Sequence, residues 1–355
     1  MDHQVRRARL AARLGELDVE ALLITRPSNV RYLTGFTGSN GQLLMTPSAP
    51  VFFTDGRYTQ QARHEVPDLD RVTYGTGLTE ALAERSADVR RLGFEAHDVS
   101  VSSHAGFARA LGETELVATE HEVERLRWVK DQEELAELQA AQDATDRAFE
   151  EILELLAVGM SERGVARELE RALFRAGADG LAFDPIVAFG EQASEPHHEP
   201  GNRLLREGDV IKLDFGGLVG GYHADMTRTV AFGAPAPELR KIHDVVRQAQ
   251  EAGIDAVRAG VTGGEVDAVA RSVIEDAGYG ERFAHGLGHG VGLEIHEGPS
   301  LRRGGDDVLP AGAVVTVEPG IYIPSLGGVR IEDTVVVSDD GCRVLGSSTR
   351  ELIEL

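Results

Sequence analysis

Two domains, an α/β layer domain followed by an α+β domain, are what this sequence predicts, and three observations predict them. The chain has 355 residues, more than the commonest size of a single domain. Residues 1–125 alternate short apolar runs with amphipathic stretches, the pattern of strands and helices taken in turn. Residues 126–355 read instead as blocks of helix and strand, which predicts segregated layers and an antiparallel or mixed sheet.

In the N-terminal part, residues 5–17 carry apolar positions at helical spacing, and residues 20–25 (EALLIT) read as a buried strand. Pro27 opens a short helix over 27–33, at a position where its missing N–H costs nothing. A glycine-rich loop follows at 35–41 (GFTGSNG). Strands are predicted at 43–45, 51–53, 71–74, 91–94 and 115–118, with a helix over 57–65 and further helices between the later strands. Such alternation predicts a largely parallel sheet. The boundary falls near residues 120–130, where a long stretch dense in Glu and Ala begins, with leucines at helical spacing. Beyond it, helices are predicted over 131–157 and 161–176, then strands at 185–188, 209–215 and 227–232. Helices over 237–259 and 264–276 and strands over 313–318 and 328–337 complete the chain. No short tandem repeat or low-complexity segment is visible.

Hydrophobic residues make up 42% and charged residues 27%, a composition that fits a globular protein and argues against disorder. The formal net charge is -23, from 59 acidic and 36 basic residues. A surface so acidic repels phosphate backbones and anionic lipid, so neither nucleic acid nor a membrane is an expected partner. Cys342 is the single cysteine, so no intrachain disulfide is possible, as suits a reducing compartment. Residues 1–10 are polar and basic, without the apolar core of a signal peptide, and no apolar run is long enough to span a bilayer. The expectation is a cytoplasmic protein.

Carboxylates recur at the ends or in the middle of apolar strand-like runs in the second domain. Asp214 ends VIKLD, Asp225 lies in HADMTRTV, Glu318 ends AVVTVE and Glu332 sits in VRIEDTVVV. Each alone reads as the cap of a turn. Four together are costly to bury unless a cation is shared among them. His285, His289 and His296 fall within twelve residues, among glycines that let the backbone pass close to a site. Four carboxylates and one imidazole would be neutralised by two divalent ions. Oxygen-rich ligation favours Mn(II), with Zn(II), Co(II) or Fe(II) as alternatives, and paired metals of this kind activate water and polarise carbonyls.

Asp214, Asp225, His289, Glu318 and Glu332, in this order and in these contexts, resemble the five metal ligands of the pita-bread metallopeptidases, which include methionine aminopeptidase, aminopeptidase P and prolidase. The resemblance runs from about residue 130 to the C-terminus. Residues 1–125 are similar to the N-terminal domain of the proline-specific branch and of creatinase. It implies a pita-bread (creatinase/aminopeptidase-like) catalytic domain over residues 126–355. It also implies that Asp214 holds one metal, that His289 and Glu318 hold the other, and that Asp225 and Glu332 bridge both. Glu318 is then the general base that takes a proton from the bridging water, leaving a hydroxide held by the two metals. His285 and His296 match histidines that contact substrate and stabilise the intermediate. His197 matches one lining the substrate site, with His198 one residue away, and Arg330 matches an arginine of the proline-specific branch.

The N-terminal domain, His285 and Arg330 favour that branch over methionine aminopeptidase, and the intact ligand set argues against creatinase. The expected activity is hydrolysis of Xaa-Pro bonds at the N-terminus of short peptides, by a homodimer. The alternatives are a non-catalytic binding protein of the same fold and a methionine aminopeptidase-like activity.

Overall fold

The computed structural model describes residues 1–75 and 77–355. The chain divides into two compact units, Met1–Arg127 and Trp128–Leu355.

The first unit holds six strands: β1 (Ala21–Ile24), β2 (Gly41–Met45), β3 (Val51–Asp55), β4 (Asp70–Tyr74), β5 (Arg91–Glu95) and β6 (Glu115–Thr119). They form one sheet in the order β4-β3-β2-β1-β5-β6. β1 is buried at all four positions, as its unbroken apolar run requires of a strand covered on both faces. Leu23, Leu44, Phe53, Leu82, Leu92 and Phe107 build the core around it. The sheet is mixed rather than largely parallel. β1 pairs with β5, β5 with β6 and β3 with β4 in parallel, whereas β2 is antiparallel to both β1 and β3. The turn between β2 and β3 is too short for the crossover that parallel strands need, so the chain must double back. The first helix stops at Ala11, short of the predicted 5–17, and the chain turns through Gly15. The helix Pro27–Thr34 ends on Gly35, whose φ of 80° is the left-handed conformation that glycine adopts at least cost.

The second unit continues with β7 (Gly180–Leu181), β8 (Ile186–Phe189), β9 (Val210–Phe215), β10 (Gly217–Val219), β11 (Tyr222–His223) and β12 (Met226–Ala231). After two helices come β13 (Gly288–Gly290), β14 (Glu297–Leu301), β15 (Val314–Val317), β16 (Gly320–Ile323), β17 (Gly327–Arg330), β18 (Asp333–Val337) and β19 (Cys342–Val344). Helices Gln132–Leu155 and Glu162–Arg175 pack on the sheet β12-β9-β8 through Phe149, Leu169, Leu173, Phe215 and Met226. Helices Pro237–Ala256 and Gly263–Asp276 pack on the sheet β14-β13-β15-β18-β19 through Ile242, Val246, Ala270, Val315, Val317 and Val335. Capping boxes fix two of these helix starts, Asp131 with Glu134 and Thr262 with Glu265.

The strand predicted over 328–337 is two strands. β17 pairs with β16, β18 pairs with β15, and the break between them falls at Ile331 and Glu332.

Gly216 joins β9 to β10, and a Cβ there would lie 1.8 Å from the Ala224 carbonyl oxygen. Gly216→Ala should therefore lower stability by about 1–3 kcal/mol through overpacking and disturb the neighbouring Asp214 and Asp225. Gly106 lies inside the helix Val101–Leu111, with nothing within 4 Å of an added Cβ. Gly106→Ala should raise stability by about 0.5–1 kcal/mol. Thermal unfolding of both variants beside the wild type tests the pair.

Candidate metal centre

Two antiparallel strand pairs deliver four carboxylates to one place. In the first, β9 pairs with β12 and sets Asp214 opposite Thr227, with Asp225 just before β12 begins. In the second, β15 pairs with β18, with Glu318 just after β15 and Glu332 just before β18. The ends of the two pairs are joined. Glu332 N–H donates to the Thr227 carbonyl at 3.1 Å, Thr227 Oγ1 donates to Glu332 Oε2 at 2.8 Å, and Thr334 Oγ1 donates to the Asp225 carbonyl at 3.1 Å.

His289 comes from β13, whose backbone runs so close to β15 that a Cβ on Gly288 would meet the Thr316 carbonyl at 2.0 Å. Its N–H donates to Thr316 Oγ1 at 3.1 Å, and its Nδ1 lies 3.0 Å from the Gly290 carbonyl. A proton on Nδ1 satisfies that carbonyl and leaves Nε2 to face the carboxylates. Nε2 is 3.3 Å from Glu318 Oε1 and 3.5 Å from Asp225 Oδ2. Asp225, His289 and Glu332 each offer one ligand atom, all within 4.8 Å of one another.

The electrostatics call for added positive charge. Burial, reinforced by the neighbouring carboxylates, pushes Asp225 and Glu332 well above the usual carboxylate range. Burial also pushes Glu318 upward, but its hydrogen bond with His289 and that residue's charge outweigh it and hold the group at about 2. Asp214 Oδ1 and Glu332 Oε1 are buried with no hydrogen-bond partner among the described residues. Arg330 offsets part of the charge, donating to Asp214 Oδ2 through Nη2. Bare carboxylate oxygens beside His289 Nε2 fit a divalent cation, which would take the place of that nitrogen's proton, and the oxygen-rich set suits a hard one.

Around this cluster, Arg330 donates from Nε to Thr227 Oγ1 at 2.9 Å and from Nη1 to Tyr322 Oη at 2.8 Å. Tyr322 Oη lies 2.9 Å from His285 Nε2, and His285 Nδ1 lies 2.8 Å from the Gly286 carbonyl. His285 is therefore held as a neutral ring, and burial lowers its pKa. The His296 ring stands edge-on to His289, with centroids 4.3 Å apart. His197 is exposed, whereas its neighbour His198 is buried between Glu162 and Glu195, with Nε2 and Nδ1 at 2.9 and 2.8 Å from their carboxylates. One cavity of about 510 Å³ is lined by all nine of the predicted site residues, with His198, Phe183, Ile186 and Ile295.

Sequence reading missed Tyr322 and Lys212. Lys212 is fully buried two residues before Asp214 and donates to the carbonyls of Ala193, Glu195 and Pro196. It thereby holds the segment that carries His197. A lysine inside the apolar run VIKLD was the available signal. Tyr322 in GIYI carried none, because a tyrosine is ordinary in a strand.

The model of metallopeptidase family M24 matches residues 136–339, and that of the creatinase/prolidase N-terminal domain matches residues 6–129. The chain belongs to metallopeptidase family M24. It is 43% identical to the uncharacterised peptidase YqhT of Bacillus subtilis over 343 residues, 96% of this chain and 97% of that protein. Among solved structures it resembles the Xaa-Pro dipeptidase from Bacillus anthracis, with a TM-score of 0.97 at 38% identity and full coverage of both chains. It also resembles the X-Pro aminopeptidase from Thermotoga maritima, with a TM-score of 0.91 at 36% identity, covering 98% of this chain and 99% of that one. The M24 unit has the pita-bread architecture, preceded by a creatinase-type domain.

The raised pKa of Glu332 carries a stability consequence for the metal-free protein. Folding then costs nothing at this group below the ordinary carboxylate range, and progressively more as pH rises towards the folded pKa. Metal-free Glu332→Gln should melt above the metal-free wild type at neutral pH, with the gap closing near pH ~4. A calorimetric pH series in chelator measures it.

Proposed function

We propose that this protein is a two-metal peptidase that hydrolyses the Xaa-Pro bond at the N-terminus of short peptides. The observation that carries the reading is the convergence of Asp214, Asp225, His289, Glu318 and Glu332 with His197, His285, His296 and Arg330 on one cavity. Asp214, Asp225, His289, Glu318 and Glu332 would hold the cations, with Asp225 and Glu332 shared between the two. The charge and hardness of this donor set favour Mn(II). When bound, the cations supply the positive charge that acidifies a water and polarises the scissile carbonyl.

The chain's own residues do the rest. Thr316 Oγ1 donates to Glu318 Oε1 at 3.2 Å, the oxygen that also faces His289. Oε2 is left to take the proton of the attacking water and return it to the proline nitrogen as the C–N bond breaks. His296, exposed at the cavity wall, donates to the oxygen that gains charge. Arg330 fixes Asp214 and, through Tyr322, the orientation of His285. Phe183, Ile186 and Ile295 offer an apolar wall to the proline ring and the side chain before it. The names of the Bacillus anthracis and Thermotoga maritima proteins, a dipeptidase and an aminopeptidase, support the same bond in a dipeptide or a longer peptide.

Mn(II)-loaded protein should cleave Ala-Pro, Ala-Pro-Ala or both, leave Met-Ala-Ser intact, and lose activity on exhaustive chelation. Cleavage of the dipeptide alone means a dipeptidase, and cleavage of the tripeptide means an aminopeptidase. Full activity after chelation, or cleavage of Met-Ala-Ser alone, refutes the proposal. Lys212→Met, which frees the segment bearing His197, should keep its bound metal and raise KM about tenfold with a smaller change in kcat. Steady-state kinetics beside a metal count separates that outcome from loss of the centre.

A further inference from the structure

The N-terminal unit carries a second cluster with ligand chemistry, remote from the cavity in sequence and built entirely from residues of that unit. β1, β5 and β6 run parallel, so their carboxyl ends share one edge of the sheet. Open α/β sheets bind ligands beyond that edge. Here β5 leads into His97 and β6 into His121, while Glu124 enters from the short helix Glu122–Arg127. We propose that His97, His121 and Glu124 form a metal site of the N-terminal unit, distinct from the M24 centre, that takes an imidazole-preferring divalent cation such as Zn(II).

The three residues each offer one ligand atom, all within 4.8 Å of one another. His97 Nε2 is 2.8 Å from Glu124 Oε1, and the two imidazoles stack with centroids 4.4 Å apart. The His121 carbonyl accepts from Arg125 N–H, but its ring makes no hydrogen bond among the described residues, so the ring nitrogens are uncommitted beside the carboxylate. Glu124 is 7% exposed, and its Oε2 is buried without a hydrogen-bond partner among the described residues. That oxygen is an independent sign of a missing cation, because a buried carboxylate with one bare oxygen is costly.

A second buried carboxylate adds to the local negative charge. Glu95 lies just behind Glu124, and the two carboxylates share one amide, Asn29 Nδ2, at 2.6 and 2.8 Å. Glu95 also takes the N–H groups of Thr25 and Arg26 at 2.6 and 2.9 Å, and the Arg26 guanidinium stands 3.6 Å from Glu124. A hydrogen bond from His97 alone would leave both Oε2 and His121 unused. A cation replacing the shared proton engages all three side chains. Two imidazoles and one carboxylate suit Zn(II) or Cu(II), whereas four carboxylates and one imidazole suit harder ions. The two sites therefore differ in the metal they select, and the proposal stands whether or not the peptidase reading does.

The test is a metal count on the full chain, stripped with chelator and dialysed against Zn(II). His97→Asn/His121→Asn should bind one equivalent fewer per chain than the wild type, with Xaa-Pro cleavage unchanged. In an Asp225→Asn/Glu332→Gln background, where the M24 centre is disabled, one equivalent should persist and disappear when His121→Asn is added. Cu(II) bound in that background should give an electron paramagnetic resonance spectrum with hyperfine splitting from two imidazole nitrogens. This last measurement decides the matter even if the histidine variants fold poorly. Equal Zn(II) counts with and without the histidines in folded protein, or a Cu(II) spectrum without two nitrogens, overturns the proposal.

Discussion

Four carboxylates, gathered in a buried space with one guanidinium among them, are the constraint on which the M24 unit is built. Burial, reinforced by their mutual repulsion, raises Asp225 and Glu332 far above the range in which a carboxylate is normally charged. Left to itself such a cluster would drive its members apart or take up protons. The fold resists by placing all four at the ends of paired antiparallel strands and tying the two pairs together through Thr227 and Thr334. The helices behind each sheet supply apolar cores that make this placement rigid. Stability gained there offsets a site that would be unfavourable in isolation.

Much of this was legible in the sequence because burying charge leaves a mark. VIKLD, AVVTVE and VRIEDTVVV each interrupt an apolar strand with a carboxylate, and HGLGHG surrounds two histidines with glycine. Gly288 shows why those glycines are there, since a side chain would strike the Thr316 carbonyl. The helices were legible from spacing and from caps such as Asp131 and Glu134. The short strands β10, β11, β13, β14, β16 and β19 were not, because two to five residues are too few for a period to show. The mixed order of the N-terminal sheet was missed for a different reason. Alternation of strand and helix predicts parallel pairing, and it overlooks a hairpin inserted between two crossovers.

The polar residues that orient the site were harder to read than those that form it. Tyr322 connects Arg330 to His285, and Lys212 connects β9 to the segment carrying His197. Tyr322 works through side chains on other segments, and Lys212 through backbone carbonyls that carry no sequence signal. His197 and His198 illustrate the limit. They are identical neighbours, yet one is exposed at the cavity and the other is clamped between Glu162 and Glu195.

Glu332 and Asp333 show what separates a candidate ligand from a structural carboxylate. They are adjacent, both acidic and both buried. Asp333 is surrounded by donors: Arg228 Nη2 at 2.8 Å, Gln250 Nε2 at 2.7 Å and Arg350 Nε at 2.5 Å. Glu332 receives the Thr227 hydroxyl on one oxygen, and its other oxygen has no partner among the described residues. The alternation of side chains along a strand turns the two to opposite sides. On one side the protein neutralises the charge itself, and on the other it withholds the donors that would do so. An acidic group is available to a cation only where the chain has not already satisfied it. The same test marks Glu124 of the N-terminal unit, whose Oε2 is buried and bare, whereas the neighbouring Glu122 Oε2 faces the Arg13 guanidinium at 2.8 Å.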